Sequence, residues 1–283
     1  MKPVRVPDLR VMKERGEKIA VLTAYDYTMA RLLDRAGVDI ILVGDSVGMV
    51  VLGFDNTLPV TLDMMIHHTK AVSRGAKRAL IVADMPFLTF QLSMEEAMRN
   101  AGRLIQEGGA SAVKIEGGSH IAETARGLVD IGIPVMGHLG LTPQSVHQLG
   151  GFRPQGRDSE AAERLLKDAD VLEKAGVFAI VLESIPAELA GRVTSSLKVP
   201  TIGIGAGPEC DGQVLVSYDM LGLSEGPVPP FAKQYTQLSE QIVSAARAYI
   251  EDVRRSTSEA GEAQGRAERE RGSAASREAR NLN

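Results

Sequence analysis

Five short apolar runs in this chain each end in a chemically active side chain. They are Ile41-Leu42-Val43-Gly44-Asp45, Leu80-Ile81-Val82-Ala83-Asp84, Ala112-Val113-Lys114-Ile115-Glu116, Pro134-Val135-Met136-Gly137-His138 and Ile180-Val181-Leu182-Glu183. Runs this short suit strands, and runs this apolar suit strands covered on both faces. Period-two alternation pairs Val43 with Asp45, Val82 with Asp84, Lys114 with Glu116 and Val181 with Glu183. One face of each strand thus carries a charged group at its C-terminal end, where parallel α/β proteins assemble their sites. The pattern predicts an enzyme with a carboxylate-rich pocket.

What precedes these runs fixes the architecture further. Leu32 to Val38, Leu104 to Ala110, Leu128 to Ile133 and Leu172 to Val177 each read as a helix end stopped by glycine, leading into a buried parallel strand. Three more strands fit at Ile19 to Thr23, Thr201 to Ile204 and Val214 to Ser217, which makes eight. Thr61 opens a helix whose Leu62, Met65, Ile66, Thr69 and Val72 follow helical spacing, and Ser93 opens another as a capping box with Glu96. Eight alternating units over about 220 residues predict a closed (β/α)8 barrel, a TIM barrel, as a single domain over residues 1–255. An open doubly wound sheet would carry a glycine-rich turn after its first strand, and Thr23-Ala24-Tyr25-Asp26 is not one. Long loops over 46–60 and 140–157 fall at the catalytic end and read as lids or substrate walls. Residues 256–283, polar and poor in large apolar side chains, are expected to form a disordered tail or a frayed helical extension.

Bulk properties exclude several classes of partner. At 44% hydrophobic over 283 residues the chain can bury a large core. A net charge of -4 gives no reason to expect nucleic acid or an anionic membrane. No tryptophan and 4% aromatic residues argue against a base-stacking platform. No apolar run approaches the ~20 residues that span a bilayer. Residues 1–15 are charged and broken by Pro3 and Pro7, with no signal-like stretch. The lone Cys210 excludes an intrachain disulfide, which suits a cytoplasmic protein.

Asp45, Asp84 and Glu116 come from three strand ends and are hard oxygen donors of the kind that suit Mg²⁺. Any one alone would read as a solvated loop acid; the three in phase point to metal. Zinc does not fit, because no His or Cys pair has ligand spacing. Lys114, facing a barrel interior, requires a counter-charge, and Glu116 shares its face. It is also placed to hold a substrate carboxylate or oxo group, while a Schiff-base role would make the metal redundant. His138, between Gly137 and Leu139-Gly140, reads as a substrate hydrogen-bonding group. Glu183 reads both as a general base and as an acid opening the following helix. Gly203-Ile204-Gly205-Ala206-Gly207 is either a phosphate-binding loop or a site of close backbone packing.

Together with Thr23-Ala24-Tyr25-Asp26 and Gln155-Gly156-Arg157, six motifs resemble the ketopantoate hydroxymethyltransferase family in order along residues 8–250. They are Gly44-Asp45-Ser46, Ala83-Asp84-Met85-Pro86, Lys114-Ile115-Glu116-Gly117-Gly118, Gly137-His138-Leu139-Gly140-Leu141-Thr142-Pro143-Gln144, Leu182-Glu183 and Gly203 to Gly207. The resemblance implies a barrel of the Mg²⁺-dependent 2-oxo-acid (phosphoenolpyruvate/pyruvate-like) superfamily, built as a homodecamer of two stacked pentamers. It implies transfer of a hydroxymethyl group from 5,10-methylenetetrahydrofolate to 3-methyl-2-oxobutanoate in pantothenate biosynthesis. It implies that Asp45, Asp84 and Glu116 serve Mg²⁺ directly or through water. Asp45, Ser46, Asp84, Lys114 and His138 would then bind the 2-oxo acid, and Glu183 would accept the proton. Pro154 is less usual and is expected to stiffen its loop.

Other readings stay open at this point. A Mg²⁺-dependent carbon–carbon lyase of the isocitrate lyase and phosphoenolpyruvate mutase kind would share barrel and acidic site. Such enzymes commonly use a loop cysteine, whereas Cys210 follows the seventh strand. A non-catalytic scaffold barrel would be expected to have lost a ligand or the base. A sugar-phosphate barrel would leave the carboxylates unexplained.

Overall fold

Eight parallel strands follow one another around a closed barrel in sequence order, each bonded to the next and the last to the first. The computed structural model describes residues 2–255 apart from 225, 227 and 228. The strands are β1 (Ile19–Thr23), β2 (Ile40–Val43), β3 (Leu80–Asp84), β4 (Ala112–Glu116), β5 (Val135–Gly140), β6 (Ala179–Glu183), β7 (Thr201–Ile204) and β8 (Gly212–Leu215). The last begins before the expected Val214 and stops before Ser217, which instead opens a short helix. The predicted tail over 256–283 lies outside the described residues. The chain divides into two units: Met1–Met220 with Pro227–Lys233, and Leu221–Gly226 with the chain from Gln234. The first contains the whole barrel. The second carries a helix over residues 238–255, along which every side chain from Glu240 onward is exposed.

The strand interiors sort by alternation into two packed sets. Ile19, Val21, Ile40, Leu42, Leu80, Val82, Ala112, Met136, Ala179, Val181, Ile202 and Val214 fill the barrel. Ile41, Val43, Ile81, Ala83, Val113, Ile115, Val135, Ile180 and Leu182 face outward into the helix layer. Helix α1 (Val6–Glu14) closes the N-terminal end, and its fully buried Leu9 packs with the inner set. Sequence reading treated Pro7 as a breaker, but proline is tolerated in the first helical turn, where its missing N–H has no partner to lose. Lys13 fastens α1 through bonds to the carbonyls of Thr194 and Val199 and an ion pair with Asp211 at 2.9 Å.

The helices that flank the site strands start and stop as their sequences dictate. Asp26, Thr61, Ser93 and Asp158 cap α2 (Tyr27–Ala36), α4 (Leu62–Gly75), α5 (Met94–Gln106) and α7 (Ser159–Ala175) by accepting a backbone N–H three residues on. Gly37 and Gly176 end α2 and α7 with φ of 92° and 95°, a left-handed conformation that L side chains resist. The loop over 46–60 is not wholly irregular, since it contains the short helix α3 (Val47–Val50). Among the described residues no helix is long and apolar enough to cross a membrane.

Candidate active site

Four strand ends deliver five side chains to one buried spot. Asp84 closes β3, Lys114 and Glu116 lie on β4, His138 on β5, and Glu183 closes β6. Register makes them neighbours: Asp84 pairs with Lys114, and Glu116 with His138. All but Glu183 are buried, and the Glu183 side chain is 15% exposed. Asp45 joins them by a different route from the one its spacing implies. Val43 faces the outer layer, so Asp45 is not in phase with an inward strand residue. The strand ends at Val43, and the turn into α3 swings Asp45 inward, where its backbone N–H donates to Asp84 Oδ2 at 3.0 Å. Ser46 follows, half-buried, with its hydroxyl 2.9 Å from the Tyr25 hydroxyl.

Charge balance dominates this cluster. Lys114 Nζ lies 3.2 Å from Asp84 Oδ1, 3.7 Å from Glu116 Oε1 and 3.0 Å from His138 Nδ1. Burial opposes its charge, but Asp84, Glu116 and Asp45 outweigh that and strengthen its hold on the proton. Burial, then repulsion from Asp84 and Glu116, raises Asp45 well above the usual carboxylate range. Burial also raises Asp84, against the pull of Lys114. Glu116 goes the other way: burial is overcome by His138, Lys114 and the backbone N–H of Gln144. His138 stands between two carboxylates, with Nδ1 3.3 Å from Glu116 and Nε2 3.2 Å from Glu183. Burial and Lys114 oppose its protonation, yet these partners hold its pKa at about 9. Nδ1 thus accepts from Lys114 when His138 is neutral and faces Glu116 as a donor when it is charged.

Among the described residues no group of three His, Cys, Asp or Glu side chains forms a ready metal cage. Lys114 intervenes between Asp84 and Glu116, and Glu116 is held by Gln144 and His138. The donors still fit a cation that takes few protein ligands. Asp84 Oδ1 is buried without a hydrogen bond, and Asp45 sits in an excess of negative charge that a divalent ion would relieve.

The turn behind Glu183 is fixed on both sides. Ser184, at the unusual φ of 49°, donates its N–H to Ile204 O and accepts from Gln155 N–H. The glycine-rich segment after β7 packs closely: a Cβ on Gly205 would stand 2.6 Å from the Phe231 ring, and one on Gly207 would collide with Ala187. Two residues that alternation gave no reason to select also reach the cluster, Tyr25 and Gln144. Both stand in loops, where periodicity carries no information. Their only sequence signal was membership of the ordered motifs.

A closed parallel barrel with acid, lysine and histidine at its strand ends defines an α/β-barrel enzyme site. The barrel resembles solved structures at low identity, which speaks for the fold alone. Phosphonopyruvate hydrolase, in complex with oxalate and Mg²⁺, matches with TM-score 0.59 and 13% identity over 89% of this chain and 87% of its own. 2,3-Dimethylmalate lyase, a PEP mutase/isocitrate lyase superfamily member, matches with TM-score 0.57 and 20% identity over 88% and 87%. The lyase alternative is supported at this level only. Sequence relatives are far nearer. The 3-methyl-2-oxobutanoate hydroxymethyltransferase of Moorella thermoacetica is 61% identical over 89% of this chain and 93% of its own length. That of Thermoanaerobacter sp. (strain X514) is 59% identical over 87% and 89%. The profile described as ketopantoate hydroxymethyltransferase matches residues 3–258. The chain belongs to the ketopantoate hydroxymethyltransferase family.

Proposed function

We propose that this enzyme transfers a hydroxymethyl group from 5,10-methylenetetrahydrofolate to 3-methyl-2-oxobutanoate, giving ketopantoate on the route to pantothenate. The observation that carries the reading is the high identity to relatives of that name over nearly the whole barrel. The cluster supplies groups suited to this chemistry. Glu183, the most open carboxylate of the cluster, takes the proton from C3 of the oxo acid. The Lys114 ammonium offsets negative charge that moves onto the oxo oxygen as that C–H bond breaks. Ser46 and His138 orient the oxo acid, alongside Asp45 and Asp84. C3 then bonds to the one-carbon unit as both of its C–N bonds to the folate break. Water supplies the product hydroxyl group, and its remaining proton and the proton from C3 end on the two nitrogens of the departing tetrahydrofolate.

Asp45, Asp84 and Glu116 would hold Mg²⁺, directly or through water. When bound, Mg²⁺ supplies Lewis-acid stabilisation of the oxo-acid charge. A positioned base alone gives ~10²–10⁴ in rate, so charge stabilisation carries much of the remainder. The family resemblance further supports a homodecamer of two stacked pentamers and a cytoplasmic setting.

Proton NMR in D₂O tests the first step. Enzyme with Mg²⁺ should exchange the C3 proton of 3-methyl-2-oxobutanoate, and exchange should fail without a divalent ion. If no metal supports exchange, with folate absent or present, and no ketopantoate forms, the reading is wrong.

A further inference from the structure

Gln144 bonds carboxylates on both sides of the cluster, Glu116 through its backbone and Asp45 through its side chain. It lies in the tight turn Pro143–Ser145 after β5 and is buried. Its backbone N–H donates to Glu116 Oε2 at 3.0 Å. Its side-chain amide donates to Asp45 Oδ2 at 2.9 Å and to the Met85 carbonyl at 2.9 Å. Its Oε1 accepts from Gln91 Nε2 at 3.3 Å. Both amide protons and the oxygen are therefore engaged. The amide cannot be turned over, because the Met85 carbonyl only accepts and the Asp45 carboxylate would then face another oxygen.

This arrangement decides which oxygens remain available. Asp45 Oδ2 is taken by Gln144, Asp84 Oδ2 by the Asp45 backbone, and Glu116 Oε2 by the Gln144 backbone. One oxygen of each carboxylate is pinned by protein. Asp84 Oδ1 has no hydrogen bond and faces the Lys114 ammonium at 3.2 Å. Without the amide, nothing else described holds Asp45 Oδ2, and the side chain would be free to rotate away from Asp84, its repulsive neighbour.

We infer that Gln144 is a positioning residue that fixes the Asp45 carboxylate for a divalent cation. The inference rests on the metal-site reading above and deepens it. Residues that hold a ligand in place commonly govern metal affinity by ~10–100-fold when removed.

Gln144→Met keeps the length of the side chain and the backbone N–H while removing the amide. Mn²⁺ binding, followed by electron paramagnetic resonance in the absence of substrate, gives the affinity directly. The variant should bind Mn²⁺ ~10–100-fold more weakly. Losing a buried, fully bonded amide also lowers the thermal midpoint, so Mn²⁺ affinity is read on variant protein whose circular dichroism matches that of the parent. A folded variant with Mn²⁺ affinity within about twofold of the parent overturns the role of Gln144 and leaves the metal site intact. A parent protein that takes up no Mn²⁺ overturns the metal site, and the role of Gln144 with it. If Gln144→Met does not fold, Gln144→Asn is measured instead: it keeps an amide but is one methylene too short to hold Asp45 Oδ2, and the same outcomes decide.

Discussion

Glu183 and Asp84 place different demands on a carboxylate, and their amides should fail differently. Gln at 183 keeps the shape and the contact with His138 Nε2 but accepts no proton. Glu183→Gln should retain oxo-acid binding and lose turnover by ~10²–10⁴, read as kcat against KM in steady-state kinetics. Unchanged turnover would remove Glu183 from the base role. Asn at 84 removes a charge from a buried group that faces Lys114. Asp84→Asn should raise the Mg²⁺ concentration needed for half-maximal activity, and an unaltered Mg²⁺ titration would count against that assignment. These acids were legible as a set: one charge at a strand end has a bland explanation, several at successive strand ends have few. Asp45 was selected for the wrong reason: its approach depends on a turn that alternation does not describe. Tyr25 and Gln144 were illegible as chemistry because a neutral loop residue gains meaning only from what it touches.

At the scale of elements, one aspartate ties three segments together. Asp34, near the end of α2, accepts the backbone N–H groups of Lys77, Arg78 and Ala79 between α4 and β3. Burial raises its proton affinity, but those three donors outweigh burial and hold it below the usual carboxylate range. A depressed pKa stabilises the fold above the unfolded-state value and loses that contribution as pH falls through the folded-state value. Asp34→Asn should therefore cost about 1–2 kcal/mol near neutrality, tempered by solvent screening. The melting temperature should fall by about 2–4 °C for each kcal/mol. The gap between parent and variant should close in acid, and a gap constant with pH would rule out the linkage. Elements with strong local signals were readable here, including the caps at Thr61 and Ser93 and the stops at Gly37 and Gly176. Helix α1 was not, because its anchors, Leu9 beneath the barrel and Lys13 on Thr194, Val199 and Asp211, are matters of tertiary packing.

For the whole molecule, the barrel wall is unevenly covered. Outward residues of β2 to β6 are buried, but Ala20 on β1 and Gln213 on β8 are exposed. The helix over 238–255 also exposes Ile242, Val243, Tyr249, Ile250 and Val253. Exposed apolar side chains along one helix favour association, as the proposed decamer would need. The protein should sediment near ten times its 30.3 kDa chain mass. Ile242→Asp combined with Ile250→Asp should shift it to smaller species in the same experiment; an unchanged mass would show that this helix takes no part. Sequence alone could indicate the barrel, because its strands announce themselves one by one. It could not indicate the uncovered wall, which exists only once the strands have closed.

Lys114 has a further consequence for the life of the protein. An ammonium already seated between Asp84 and Glu116 offsets part of their charge before any ion arrives. On the proposed Mg²⁺ dependence, folding need not wait for a divalent ion, and the supply of metal would control activity separately from the survival of the chain. Exhaustive chelation should silence the enzyme while leaving its circular dichroism and melting curve close to those of the loaded protein. Unfolding on chelation would mean that the lysine is too weak a substitute to hold the barrel mouth together.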